Sequence, residues 1–258
     1  MSSGILSLDR LLGGGLPKGR IIEVYGEPGT GKTTVALHAM AEVQRSGGLA
    51  VFLDVEHALD PVLAEGIGVD VKSMRKYNLI HQPDYAEQAL GIIETYLDHG
   101  FVDLIVLDSV AALIPKKQWE ADIDSSQGYS ELPKIMSLAL RKFTQKAAKA
   151  KCTIVLINQL RVTNMSGYGN PKDTTGERAL KYATSLRLEV KGTTSKADQI
   201  TRAGDDTWFC LRSFVICCCW FCCYLLLLLL LFCFFSFLCM PKAMVRLVRI
   251  DLTPPRLG

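Results

Sequence analysis

An α/β fold, with a mainly parallel sheet covered by helices on both faces, is what this sequence predicts. Three observations carry that prediction. Short runs that are apolar throughout alternate with amphipathic segments of helical period. The first run opens into Gly26-Glu27-Pro28-Gly29-Thr30-Gly31-Lys32-Thr33, which fits G-x-x-x-x-G-K-[ST]. Later apolar runs end in acids or amides, at the strand ends where such sheets bind ligands.

The elements follow in order. Ile21–Tyr25 is the first strand, and the helical pattern from Thr33 to Arg45 follows its glycine-rich loop. Leu49–Asp54 is the second strand, and the segment Tyr85–His99 reads as an amphipathic helix. Leu104–Asp108 is the third strand, followed by a helix over Lys134–Ala150. Thr153–Asn158 and Ser185–Val190 are the fourth and fifth. Strands without alternation are buried on both faces, which requires helices on each side. No signal peptide is visible, since Met1-Ser2-Ser3 leads directly into Gly4-Ile5-Leu6.

The strand–loop–helix context gives the loop its chemistry. Glycines let the backbone curl and aim N–H groups at phosphate oxygens, and the helix N-terminus adds partial positive charge. Gly26 through Thr34 form the nucleotide-binding set. Lys32 is expected to reach the β- and γ-phosphates, and the Thr33 hydroxyl to ligate Mg²⁺. Asp108 ends an apolar strand and is expected to hold Mg²⁺ through water. The second strand ends in Asp54-Val55-Glu56-His57. Hydrolysis needs a base or orienting group for water; Glu56 is the choice and Asp54 the competitor. His57 reads as a structural or supporting residue. The fourth strand ends in Asn158-Gln159, and an amide there suits a γ-phosphate sensor that moves the loop after it. That loop, Leu160 to Arg178, is rich in Gly, Thr, Asn and Ser and reads as mobile; it suits a phosphate backbone but by itself equally describes a solvated surface loop.

Charge and cysteine are unevenly spread. Residues 1–209 carry 24 Lys and Arg against 25 Asp and Glu, so the body is near neutral and any nucleic-acid surface is local. Cys152 stands alone in the body and reads as a reduced, buried thiol, while eight cysteines fall between Cys210 and Cys239. Their spacing, without a nearby His, does not resemble a zinc site. Phe214 to Met240 is 27 residues without a charge, including Leu225–Leu231. Its length suits a membrane span, which needs roughly 20 apolar residues. Its low complexity and the break inside a domain favour translated non-coding sequence instead. The expected division is therefore an ATPase core over 1–207 and a hydrophobic tail over 208–258.

Taken together, the body resembles the bacterial-type RecA recombinases of bacteria and plant organelles. The segments that carry the resemblance are Gly4–Asp9, Gly15–Arg20, the phosphate loop, Glu56–Pro61, Val102–Ala112, Asn158–Arg161, Gly169–Pro171, Thr174–Gly176 and Ala179–Lys181. It spans about residues 4–195. It implies a RecA-like P-loop ATPase core that uses ATP and Mg²⁺ and acts in homologous recombination and DNA repair. It implies that Glu56 activates water, that Asp108 is the Mg²⁺-linked acid, that Gln159 couples nucleotide state to DNA and that Asp60 lies near the adenine. Trp119–Leu132 and Leu160–Arg178 match two DNA-binding loops, with Tyr129, Arg161 and Tyr168 as strand contacts and Lys134 and Arg141 just beyond the first. The implied partners are single- and double-stranded DNA and further copies in a filament; a membrane enters only if the tail is genuine. The implied compartment is cytoplasm in a bacterium, or mitochondrion or plastid in a eukaryote.

Departures accompany the resemblance. The chain starts after the family's docking helix and strand, Leu63 replaces an aromatic ring at the adenine, and Glu177-Arg178 replaces a glycine-containing pair. Nothing after Asp206 matches, so the two lysines the family extends to a neighbour's nucleotide are absent, and an exposed sheet edge is expected. The alternatives to an active recombinase are a nucleotide-binding chain without strand exchange and a membrane-tethered P-loop ATPase.

Overall fold

The computed structural model describes residues 1–121, 131–162, 172–174, 177–192, 207–210 and 246–251. Its strands are β1 (Ile21–Gly26), β2 (Ala50–Asp54), β3 (Ile80–His81), β4 (Leu104–Asp108), β5 (Thr153–Val162), β6 (Lys172–Thr174), β7 (Leu186–Gly192), β8 (Thr207–Cys210) and β9 (Arg246–Asp251). The sheet order is β3-β2-β4-β5-β1-β7-β9-β8, with β6 paired to β5. From β3 to β7 every pairing is parallel. All five expected strands are present, and each starts within one residue of its expected position.

The helices are α1 (Leu6–Leu11), α2 (Lys32–Arg45), α3 (Pro61–Ile67), α4 (Val71–Lys76), α5 (Ala86–His99), α6 (Lys116–Trp119), α7 (Glu131–Ala150) and α8 (Glu177–Ala183). Their apolar spacing sets which side faces the sheet. α5 buries Ala86, Ala89, Leu90, Ile93 and Leu97, and α7 buries Met136, Ala139, Leu140, Phe143 and Ala147. Both are stripes of helical period. α5 and α7 lie side by side, clasped by Lys146 on Glu94 and Asp98. Short α3 and α4 have weak periodicity, and their starts are fixed by side chains. Asp60 accepts from Val62 and Leu63 N–H, and Asp70 accepts from Ser73 N–H. β1, β2 and β4 are buried to their ends, with Ile105, Val106 and Leu107 fully so.

The chain after β7 corrects one expectation. The edge of β7 is not open: β9 pairs antiparallel with it from Arg187↔Asp251 to Gly192↔Arg246, and β8 pairs with β9. Arg246-Leu-Val-Arg-Ile-Asp251 is a short branched-aliphatic run, which suits a strand. The boundary drawn at 207/208 falls inside β8. The uncharged run 214–240 lies outside the described residues; among those described, no helix is long and apolar enough to cross a membrane.

Parallel alignment puts the carboxyl ends of the central strands on one rim. Asp54 of β2 sits level with Asp108 of β4, and Gly26 of β1 level with Gln159 of β5. A cleft of about 440 Å³ lies at the far end of the strands, between the C-terminal part of α2, the start of β2 and α4.

Candidate nucleotide-binding site

The loop between β1 and α2 is shaped by close backbone approach. A Cβ at Gly26 would stand 2.2 Å from the Val190 carbonyl oxygen of β7, so only glycine fits where the loop leaves the sheet. Gly31, the residue before α2, has φ 96° and brings no side-chain cap to the helix. The helix N-terminus is thus presented through backbone N–H groups, an anion-binding arrangement. Glu27, Pro28 and Gly29 are exposed at the turn, and Thr30 folds in, its hydroxyl donating to the Glu27 carbonyl at 2.8 Å. Lys32 is buried and its Nζ reaches across the loop to donate to the carbonyls of Gly26 (3.2 Å) and Glu27 (2.8 Å). Thr34 is half-buried in the first turn of α2.

Thr33 joins this loop to β4. Its hydroxyl donates to Asp108 Oδ2 at 2.6 Å. Burial pushes the Asp108 carboxyl up to about 6; Glu56 and Asp54 push the same way, against the Thr33 hydrogen bond and Lys32. A hydroxyl and a carboxylate oxygen in contact beside a phosphate-loop lysine fit the hard oxygen ligands and retained waters that Mg²⁺ prefers. The Asp108–Ser109 peptide bond is cis.

Glu56 is held from two directions. Ser109 Oγ donates to Glu56 Oε1, and so does Gln159 Nε2, at 2.7 Å. The backbone N–H groups of Val55 and Glu56 donate to the Asp108 carbonyl, which ties the loop after β2 to the end of β4. Glu56 itself is exposed. Asp54, the competitor for the base, is differently placed. It is buried, and it accepts from the N–H groups of Ala58 and Leu59 and from Gln82 Nε2. A carboxylate with both oxygens engaged on its own loop shapes that loop; the reachable one is Glu56. His57 lies exposed in the same loop with φ 53°.

Two further residues belong to this group. Ser109 follows a strand-end Asp, and only the fold shows that its hydroxyl meets Glu56. Gln82, 28 residues beyond Asp54, carries no sequence signal because its role depends on β3 lying beside β2.

The remaining site residues spread outward. Asp60 is exposed and caps α3. Lys134 and Arg141 are exposed on α7, one heptad apart and so on one face, and Arg141 Nε donates to Ser137 O in its own helix. Of the segment after β5 expected to be mobile, residues 163–171 and 175–176 lie outside the described residues. Leu160–Val162 pairs antiparallel with Lys172–Thr174, and α8 starts at Glu177. The Arg161 backbone is in that hairpin opposite Asp173; its side chain, and Tyr129 and Tyr168 entirely, lie outside the described residues. Cys152 is buried, and burial pushes its thiol up to about 12, as a reduced core residue.

A parallel sheet with a phosphate loop at its central strand, and acids at the neighbouring strand ends, defines a P-loop nucleotide-binding protein. The profile of the RecA N-terminal domain matches residues 1–209, and the chain belongs to that family. Protein RecA of Nostoc punctiforme is 51% identical over 192 residues, 74% of this chain and 52% of its own length. Protein RecA of Arthrospira platensis is 47% identical over 209 residues, 81% of this chain and 54% of its own. The chain spans about half the length of the curated relatives it matches. The crystal structure of the RadB recombinase superposes with a TM-score of 0.57 at 24% identity, over 75% of this chain and 84% of that one, which is a likeness of fold.

Proposed function

We propose that this chain is the ATP- and Mg²⁺-dependent core of a RecA-type recombinase that binds single-stranded DNA in homologous recombination and repair. One observation carries the reading. Gln159 links the acid expected to handle water, Glu56, to the strand that runs directly into the Leu160–Thr174 hairpin. A nucleotide-sensing amide and a DNA-facing hairpin on one continuous strand is the arrangement such coupling needs.

Gly26 to Thr34 would cradle the phosphates, with Lys32 at the β- and γ-phosphates and Thr33 and Asp108 holding Mg²⁺. Bound Mg²⁺–ATP supplies the scissile phosphate and the cationic charge that neutralises its oxygens. Glu56 takes the proton of the attacking water at its carboxylate, with Ser109 and Gln159 fixing its aim. Movement of the Gln159 amide off Glu56 pulls on β5 and shifts the hairpin that carries Arg161. Tyr129, Tyr168, Lys134 and Arg141 complete the DNA surface, and Asp60 approaches the adenine. Pairing with duplex DNA and assembly of copies along a strand belong to the same proposal, as does a division into an ATPase core and a hydrophobic tail. The cyanobacterial origin of the relatives supports cytoplasmic action.

The test is ATP hydrolysis with and without single-stranded DNA. DNA is expected to raise turnover, and Lys32→Ala to abolish it. Absence of stimulation with nucleotide binding intact would leave a nucleotide-binding chain without turnover.

A further inference from the structure

Glu23 sits in the middle of β1 with no exposed surface, away from the phosphate loop. Its two carboxyl oxygens are taken by two different strands. Arg187 Nε of β7 donates to Oε2 at 2.6 Å, and Asn158 Nδ2 of β5 donates to Oε1 at 3.0 Å. Arg187 also lies over the Tyr25 ring, 4.7 Å from its centroid. A buried ion pair adds little net stability, because desolvation offsets the attraction, and apolar residues of the same volume serve a core as well. Stability alone therefore does not account for a charged pair buried between β1 and β7 in the middle of the sheet.

Orientation does. Arg187 is a donor only, so the carboxyl that meets it accepts, and an accepting Glu23 admits only the NH₂ end of Asn158. That choice turns the Asn158 carbonyl the other way, where Oδ1 accepts the Gln159 backbone N–H at 2.9 Å. Gln159 Nε2 in turn donates to Glu56 at 2.7 Å. A chain of hydrogen bonds thus runs from Arg187 through Glu23, Asn158 and Gln159 to Glu56. It crosses β7, β1 and β5 and ends on the loop after β2.

We propose that the Glu23–Arg187 pair is a positioning device for Gln159: it selects one orientation of Asn158, which fixes the Gln159 backbone and so aims its amide at Glu56. The proposal rests on the functional reading only in taking Gln159 as the coupling residue.

The test uses isotope-labelled, nucleotide-free protein and nuclear magnetic resonance, so it stands whether or not the chain binds DNA or turns over ATP. In the unaltered chain the Gln159 backbone amide is expected to exchange slowly with solvent, and its side-chain amide signals to shift in Glu56→Gln. Asn158→Leu keeps the volume and removes both hydrogen bonds. It is expected to speed Gln159 backbone exchange by about tenfold or more and to return its side-chain signals to those of an exposed glutamine. Should Asn158→Leu fail to fold, the paired variant Glu23→Leu with Arg187→Met removes both charges together and is expected to fold with the same loss at Gln159. A merely structural role predicts lower global stability with the Gln159 side-chain signals unmoved. That result in either folded variant, or fast Gln159 exchange in the unaltered chain, would overturn the proposal.

Discussion

Asp108 faces opposing demands, which its surroundings make measurable. Burial raises its carboxyl to about 6, while the Thr33 hydroxyl favours the ionised form. An acid whose folded pKa lies above the unfolded one binds more protons in the native state over that interval. Stability is then lost as pH rises from about 4 to about 6, by up to roughly 3 kcal/mol at 1.36 kcal/mol per pKa unit. Asp108→Asn is therefore expected to raise the urea unfolding free energy by about 1–3 kcal/mol near neutral pH, with no gain near pH 4. It is also expected to weaken Mg²⁺-dependent nucleotide binding. A gain that does not shrink as the pH falls would mean burial of this charge is not its cause. Gly26 poses a packing demand instead. With the Val190 oxygen 2.2 Å from its would-be Cβ, Gly26→Ala must move β7 or the loop. It is expected to cost about 1–3 kcal/mol or more, read as a lowered unfolding midpoint.

At the scale of elements, core and surface should separate by size of effect. Phe143 is 1% exposed on α7 and packs in the core beneath the sheet, so Phe143→Ala is expected to cost about 3–5 kcal/mol. Lys146 on the same helix clasps Glu94 and Asp98 at the surface, and Lys146→Ala is expected to change stability by less than about 1 kcal/mol. Paired denaturant titrations check the ratio, and comparable losses would contradict an apolar origin for the α5–α7 packing. The same contrast explains what was readable beforehand. α2, α5 and α7 carry long apolar stripes, and the buried strands carry unbroken apolar runs, so burial itself wrote their pattern. α3 and α4 are set by single caps, Asp60 and Asp70, and β3 has only two residues. Their order comes from neighbours.

At the scale of the molecule, β9 decides whether β7 presents an open edge. Its ladder to β7 covers Arg187 to Gly192. Ile250→Pro breaks the pairing opposite Leu188, and an uncovered strand edge invites pairing with another chain. Increased light scattering at unchanged nucleotide binding is the expected outcome; scattering equal to that of the unaltered chain would show that β9 does not guard this edge. An open edge was expected because nothing after Asp206 matches the family, whose sheet continues there. Antiparallel pairing across more than fifty residues leaves no local signal.

The sequence by itself determined the parallel α/β order, the phosphate loop and the strand ends bearing Glu56, Asp108 and Gln159. Those features are local, set by spacing along one strand or one helix turn. The tertiary structure alone decided which groups meet. It turned Asp54 inward to its own loop, left Glu56 exposed between Ser109 and Gln159, and ran the buried Arg187–Glu23–Asn158 line behind them. Hydrogen bonds between residues 53 to 164 positions apart exist only once β1, β2, β4, β5 and β7 lie side by side. Their partners are chosen by register, which no single segment contains.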